Sequence, residues 1–241
     1  MQQDLAQAFA LVTGASSGIG HAISSALAAG GTRVLLVGRS CERLATVLSQ
    51  LGGAGAGHLA IDGDLTSTDF LANLAQRALQ WSQERLSILV LCAGHHEPSR
   101  IEETSAASFD AAIATNLRAP FLLTGALLPS LRATRGQVVL VNSSVVNNPR
   151  AGTAAYAASK AGLRTFADCL RAEVGPDGVT VLSVYPGRTA TPMQRDRYER
   201  EGLQYAPELL LQPSDVARAV VNAVGSSGEV TELHLRPLHK G

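Results

Sequence analysis

The chain has 241 residues, room for one large domain or two small ones, and 46% of them are hydrophobic, so a sizeable core is available. Lys plus Arg (20) equals Asp plus Glu (20), which argues against the basic surface of a nucleic-acid binder or a membrane-adsorbing protein. Three widely spaced cysteines (Cys41, Cys92, Cys169), with no secretory leader, no CxxC pair and no metal-spaced Cys/His set, point to reduced thiols, a cytoplasmic setting and no bound metal; no apolar run approaches the roughly 18–20 residues of a membrane helix.

In chain order, short apolar runs alternate with longer helical patterns. "AFALVTG" ends in a glycine-rich turn and leads into the helical "IGHAISSALAAGG". "RVLLVG" precedes the amphipathic "ERLATVLSQLGG", and the loop "GGAGAG" precedes the strand "GHLAIDGDL". The helix "DFLANLAQRALQW" is followed by the strand "LSILVLCAG" and a long helical segment over about 106–133. Then come "GQVVLVNSS", a helix from about 155 to 175, "GVTVLSVYPG", a helix near 214–224 and a last strand "ELHLRP". The strands are continuous apolar runs, the mark of a parallel sheet covered on both faces. No linker, repeat or charge block interrupts them. The expectation is one α/β domain over 1–241, a Rossmann-type doubly wound parallel sheet with helices on both faces. Its cofactor half covers about 1–143 and its catalytic and substrate half about 144–241.

In such sheets ligands bind beyond the carboxyl ends of the strands. The first strand ends in "TGASSGIG", where Gly14, Gly18 and Gly20 permit a tight turn and a close backbone approach to a pyrophosphate at a helix N-terminus. Ser16, Ser17 and Ile19 belong to the same turn. The second strand ends in "VGRS". An acidic residue there would bind a ribose 2′-hydroxyl; Arg39, with Ser40 beside it, suits a 2′-phosphate instead. NADP(H) is therefore preferred, with NAD(H) as the alternative. Asp64, followed by Leu65, can accept a bond from an adenine amino group or cap the next helix. In "CAG", Ala93 and Gly94 leave room for a flat ring or ribose.

Pro120 lacks an N–H, so the carbonyl of Asn116 loses its normal helical partner, and a free carbonyl then shares a position with an amide side chain that together would hold a water. In "AAYAASKAGL", Tyr156 and Lys160 are spaced i, i+4 and share a helix face. A tyrosine with its ordinary pKa near 10 is a poor acid–base catalyst at neutral pH; a nearby ammonium favours the phenolate and tunes it toward working pH.

With these residues assembled, the chain resembles the short-chain dehydrogenase/reductase family over nearly its whole length. "TGASSGIG", Asn116, "YAASK" and "YPGRTAT" fall in the family's order and rough spacing. The resemblance implies interconversion of a carbonyl and an alcohol by hydride transfer. Tyr156 would be the general acid/base, and Lys160 would lower its pKa and hold the nicotinamide ribose. Ser144 would orient the substrate oxygen because it directly precedes "VV"; its interval to Tyr156 is 12 residues, whereas Ser143 has the 13 seen in many members. Asn116 would complete a water-linked proton relay. Pro186, Gly187, Thr189 and Thr191 would face the nicotinamide. One departure is "LCAG" where many members carry "NNAG", whose asparagines brace the central sheet.

Two rivals share the fold: a non-catalytic NAD(P)-binding sensor or regulator, and an NAD-dependent alcohol dehydrogenase. The glycine spacing and the four-residue Tyr–Lys interval disfavour extended relatives and enoyl reductases. The substrate is expected to meet the loop after Gly94, residues 145–153 and the region from Met193 to about Pro213, which reads as a lid. His95 and His96 follow Gly94 within reach of a substrate, although an adjacent histidine pair in a loop is more often polar surface. Small residues early on the Tyr156 helix (Ala157, Ala158, Ala161, Gly162) permit close packing. The resemblance implies a homodimer or homotetramer acting on a small molecule, without nucleic acid or membrane.

Overall fold

A computed structural model describes residues 5–238. Seven strands form one parallel sheet: β1 (Phe9–Thr13), β2 (Arg33–Gly38), β3 (Leu59–Asp62), β4 (Leu86–Leu91), β5 (Gln137–Val141), β6 (Thr180–Pro186) and β7 (Glu232–Leu235). The helices between them are α1 (Gly18–Ala29), α2 (Cys41–Gln50), α3 (Thr68–Ser82), α4 (Ala106–Ile113), α5 (Ala119–Thr134), α6 (Ala154–Val174), α7 (Pro192–Arg200) and α8 (Pro213–Val224).

The strand order is β3-β2-β1-β4-β5-β6-β7. The chain winds outward from β1 to β3, then crosses to β4 and winds the other way. This reversal opens a crevice at the carboxyl ends of β1 and β4.

Every residue of β1 and β4 is buried, which is why these segments read as unbroken apolar runs. Alternate side chains serve opposite cores. Phe9 and Leu11 join Leu74, Leu123, Leu127 and Leu170 from α3, α5 and α6. Ala10 and Val12 join Ile23, Leu27, Val216 and Val220 from α1 and α8. One large domain with helices on both faces follows directly.

Two segments differ from the sequence reading. The long helix over 106–133 is broken: between α4 and α5, residues Ala114–Arg118 form a π-helical turn in which the Ala119 N–H reaches back five residues to the Ala114 carbonyl. Pro120 explains the break, because it offers no N–H to Asn116. Taken as one stretch, Ala106–Thr134 is long and apolar enough to span a membrane, which the count of continuous apolar residues missed. Its apolar positions are used internally, with Ala119, Leu123, Leu127 and Leu131 fully buried in the core. The region 193–213 is helical only in α7, which buries none of its residues, and is followed by a short 3-10 turn at Pro207–Leu209.

Candidate active site

Gly14 and Gly18 adopt left-handed backbone (φ 68° and 57°), which a side chain would strain. A Cβ on Gly14 would lie 2.9 Å from the Ala93 Cα, and one on Gly20 would overlap the Gly14 carbonyl. The turn therefore lies directly on the end of β4. Ser17 precedes α1 without a side-chain cap, whereas Ser40, Ser67, Ser105 and Thr191 each cap their helices. The first N–H groups of α1 are left for a ligand, and the dipole there favours an anion. Thr191 closes the other side: its methyl would stand 3.1 Å from a Cβ on Gly18. The turn fits a dinucleotide: Gly14, Ser16, Ser17, Gly18, Ile19 and Gly20 would hold its pyrophosphate, and Ala93 and Gly94 would leave room for its nicotinamide half.

The "LCAG" segment is braced through its backbone from the neighbouring strand. The Thr13 hydroxyl accepts the N–H groups of Cys92 (3.0 Å) and Ala93 (3.1 Å), which ties β1 to the end of β4. The Cys92 side chain lies near Lys160, and burial pushes its thiol up to about 12, so it stays neutral.

At the end of β2, Arg39 is exposed and makes no hydrogen bond or ion pair among the described residues. Its charge is felt at Asp64, whose carboxyl is held below its ordinary value chiefly by the Thr66 N–H. That N–H bonds Asp64 Oδ1 at 2.9 Å, and the cap of α3 is Ser67, so Asp64 does not cap the helix. Leu65 is buried in the core. Ser40 spends its hydroxyl as the cap of α2, accepting the Arg43 N–H.

The end of β5 meets α6. Lys160 is 3% exposed, and its Nζ donates to the Val141 carbonyl at 2.8 Å. Asn142 accepts the Ser143 N–H and donates to the Lys160 carbonyl. Ser143 is still extended, its Oγ accepts the Val145 N–H, and its side chain is the one polar side chain that lowers the pKa of the Tyr156 phenol. Ser144 already belongs to the next 3-10 turn. The geometry therefore favours Ser143, with the 13-residue interval, over Ser144: the strand ends one residue before the point assumed from the "VV" that follows.

The Tyr156 phenol also departs from expectation. Burial raises its pKa, the Ser143 side chain lowers it by less, and Cys92 adds a smaller rise. Lys160 does not pull it down in the cofactor-free protein; the ammonium is held by Val141, 6.0 Å from the tyrosine ring centre. Burial also lowers Lys160 itself to about 8.

Asn116 is fully buried and spends its amide internally. Its Oδ1 accepts the His95 N–H (2.7 Å), and its Nδ2 donates to the His95 carbonyl (2.8 Å) and to Ser159 Oγ (2.9 Å). This clamp holds the loop after β4 over α6. His96 is thereby packed against Tyr156, ring centres 4.5 Å apart and edge-on, in contrast to its reading as polar surface. The only sequence signal is its place just beyond the carboxyl end of β4. On the far side, the Thr189 hydroxyl donates to the Gly187 carbonyl, and the Gly187 N–H bonds Leu235. The "PGRTAT" segment, starting at Pro186, is thus folded back over the crevice.

A family model for short chain dehydrogenases matches residues 8–202. The chain belongs to the short-chain dehydrogenase/reductase family. It is 33% identical over 202 residues to human (3R)-3-hydroxyacyl-CoA dehydrogenase, covering 80% of this chain and 77% of that protein. It is 30% identical over 232 residues to an uncharacterized oxidoreductase of Staphylococcus epidermidis, covering 95% and 96%. Among solved structures, a Burkholderia cenocepacia short-chain dehydrogenase in complex with NADP superposes with a TM-score of 0.85 at 31% identity, covering 97% and 98%. An actinorhodin polyketide ketoreductase variant with NADPH gives 0.87 at 27% identity, covering 98% of each chain. As a short-chain dehydrogenase/reductase, the protein is an NAD(P)-dependent oxidoreductase acting on small molecules.

Proposed function

We propose that this short-chain dehydrogenase/reductase uses NADP(H) to interconvert a ketone or aldehyde and its alcohol, with Tyr156 as general acid/base. The observation that carries the reading is that Tyr156, whose phenol feels the Ser143 side chain, stands one helical turn from buried Lys160 where α6 meets the end of β5. The dinucleotide, when bound, supplies or accepts the hydride. Ser143 and Tyr156 hold the substrate oxygen, and Tyr156 gives it a proton or takes one away. Lys160 is placed to reach the nicotinamide ribose once its ammonium leaves Val141. Asn116 is a positioning residue, whose main-chain carbonyl in the π turn is placed to carry a water-linked relay. Asp64 takes the adenine amino group; Pro186, Gly187, Thr189 and Thr191 flank the nicotinamide. The assignment of Ser40 is less favoured, since its hydroxyl is spent on α2.

The NADP(H) preference is supported by the unpaired, exposed Arg39 and by the NADP-bound state of several similar structures. Arg39→Asp is expected to weaken NADPH binding by about tenfold or more and to favour NADH, because a carboxylate repels the 2′-phosphate and accepts the 2′-hydroxyl. Parallel fluorescence titrations with both cofactors decide this; an unchanged NADPH/NADH ratio removes Arg39 from the site. The rival readings predict NADH preference, or binding without turnover.

A homo-oligomer is supported by an apolar outer face. Phe121 is 59% exposed and packs against Phe166, with exposed Phe109 on the preceding helix. Light scattering is expected to give a dimer or tetramer mass, and a monomer at micromolar concentration contradicts the reading.

A further inference from the structure

Three side-chain nitrogens in the loop after β4 and the first turn of α7 are buried without a hydrogen-bond partner: His95 Nε2, His96 Nε2 and Gln194 Nε2. Leaving such a group unpaired costs about 1–3 kcal/mol, and buried polar atoms in folded proteins are otherwise nearly always satisfied. The ordinary explanation, a polar surface loop, does not apply. His96 is half-buried with its ring edge on Tyr156, and Asn116 clamps the backbone of His95 through both its N–H and its carbonyl. The lid side is equally built. The Met193 methyl would stand 3.7 Å from a Cβ on Gly94, so the first turn of α7, with Gln194 in it, comes down over the same loop.

The geometry points to His96, on the Tyr156 ring, and Gln194, in the helix turn that overlies the same loop, as substrate-reading residues, selecting carbonyl compounds that carry a second acceptor oxygen, acyl or carboxylate, close to the reacting carbonyl. This rests on the proposed carbonyl chemistry of the same site. A carboxamide nitrogen only donates, so the atom that meets Gln194 must accept, and the neutral His96 imidazole takes the Nε2–H tautomer to join it. The surroundings agree. The charges acting on His96 are Arg197, His95 and Arg200 on the positive side and Glu201 on the negative side. Arg197 is partly spent on Glu201, at 2.7 Å. The balance favours electron-rich oxygen and disfavours a cationic substrate. Burial and those cations hold His96 down at about 4, so at working pH it reads the substrate as a neutral hydrogen-bonding group and does not form a charge pair. A simple ketone leaves both nitrogens unpaired, and that is the source of discrimination.

The test measures NADPH oxidation with ethyl acetoacetate, sodium acetoacetate and 2-heptanone, using wild type, His96→Phe and Gln194→Met. Phenylalanine keeps a ring on Tyr156 and removes both nitrogens. Wild type is expected to favour at least one acceptor-bearing compound over 2-heptanone by about tenfold or more in kcat/KM. The ester and acid arms tell acyl from carboxylate oxygen. Each variant is expected to lose about tenfold on the favoured compound while 2-heptanone and the NADPH affinity move by less than about threefold. Retained preference in both variants, an equal loss on 2-heptanone, or no preference in wild type overturns the proposal. If His96→Phe fails to fold, Gln194→Met carries the same comparison. Tyr156-dependent turnover without discrimination defeats this inference alone, whereas no Tyr156-dependent turnover on any of the three defeats the underlying carbonyl reading as well.

Discussion

Tyr156→Phe is expected to lower turnover by about 10²–10⁴-fold while leaving NADPH binding within about threefold of wild type. The substitution removes one oxygen and keeps the ring against His96, so packing is conserved. What disappears is the proton that must reach the carbonyl oxygen as hydride reaches carbon. Because burial holds the phenol above its ordinary value, the proton stays in place through neutral pH. Carbonyl reduction should therefore be level across neutral pH, and alcohol oxidation, which needs the phenolate, should rise as the pH rises. Ser143→Ala in the same assay should fall nearly as far, and Ser144→Ala much less, since it is the Ser143 side chain that acts on the phenol. A Phe variant that retains more than about a tenth of the activity would remove Tyr156 from proton transfer.

Lys160→Met is expected to separate stability from function. The ammonium is 3% exposed and its pKa is lowered to about 8. An unfolded lysine titrates near 10.4, so the folded state disfavours the charged form by roughly 3 kcal/mol. The sign follows: the stability linked to this group is fully present above the unfolded value and is lost as the pH falls through about 8. At pH 7 the wild type bears the whole cost. Methionine removes it, against roughly 1 kcal/mol for the lost bond to the Val141 carbonyl. The cofactor-free variant should melt a few degrees higher at pH 7, at roughly 2–4 °C per kcal/mol. Its advantage should shrink as the pH is raised from 8 toward 10.5, while turnover drops by about 10²-fold or more. Thermal melts of both proteins across that range, without cofactor, check this. A variant that melts lower at pH 7, with a gap that ignores pH, would mean that Lys160 is a structural asset.

Much of the architecture is legible in the amino-acid sequence, because parallel strands buried on both faces must be continuously apolar and the helices between them must be amphipathic. Tyr156 and Lys160 are legible because one helix carries both. What the sequence hides depends on distant partners. The direction of the His96 ring is set by Asn116, 21 positions away from His95 in the chain. The brace on the "LCAG" backbone is the Thr13 hydroxyl, 79 positions from Cys92. The choice between Ser143 and Ser144 turns on where extended backbone gives way to a turn, a matter of one residue. The rise in the phenol pKa comes from burial, which no spacing of charges along a helix reveals.

The clamp made by Asn116 has a consequence for how this enzyme can diversify. One amide joins the break in the long helix, the loop bearing His96 and, through Ser159, the catalytic helix. These three elements form a single rigid frame, so the loop cannot drift to suit a new substrate without disturbing the reacting tyrosine. The side-chain nitrogens at 96 and 194 take no part in this clamp. Selectivity can therefore be rewritten by exchange at those two positions on a stationary backbone, with the chemical step left untouched.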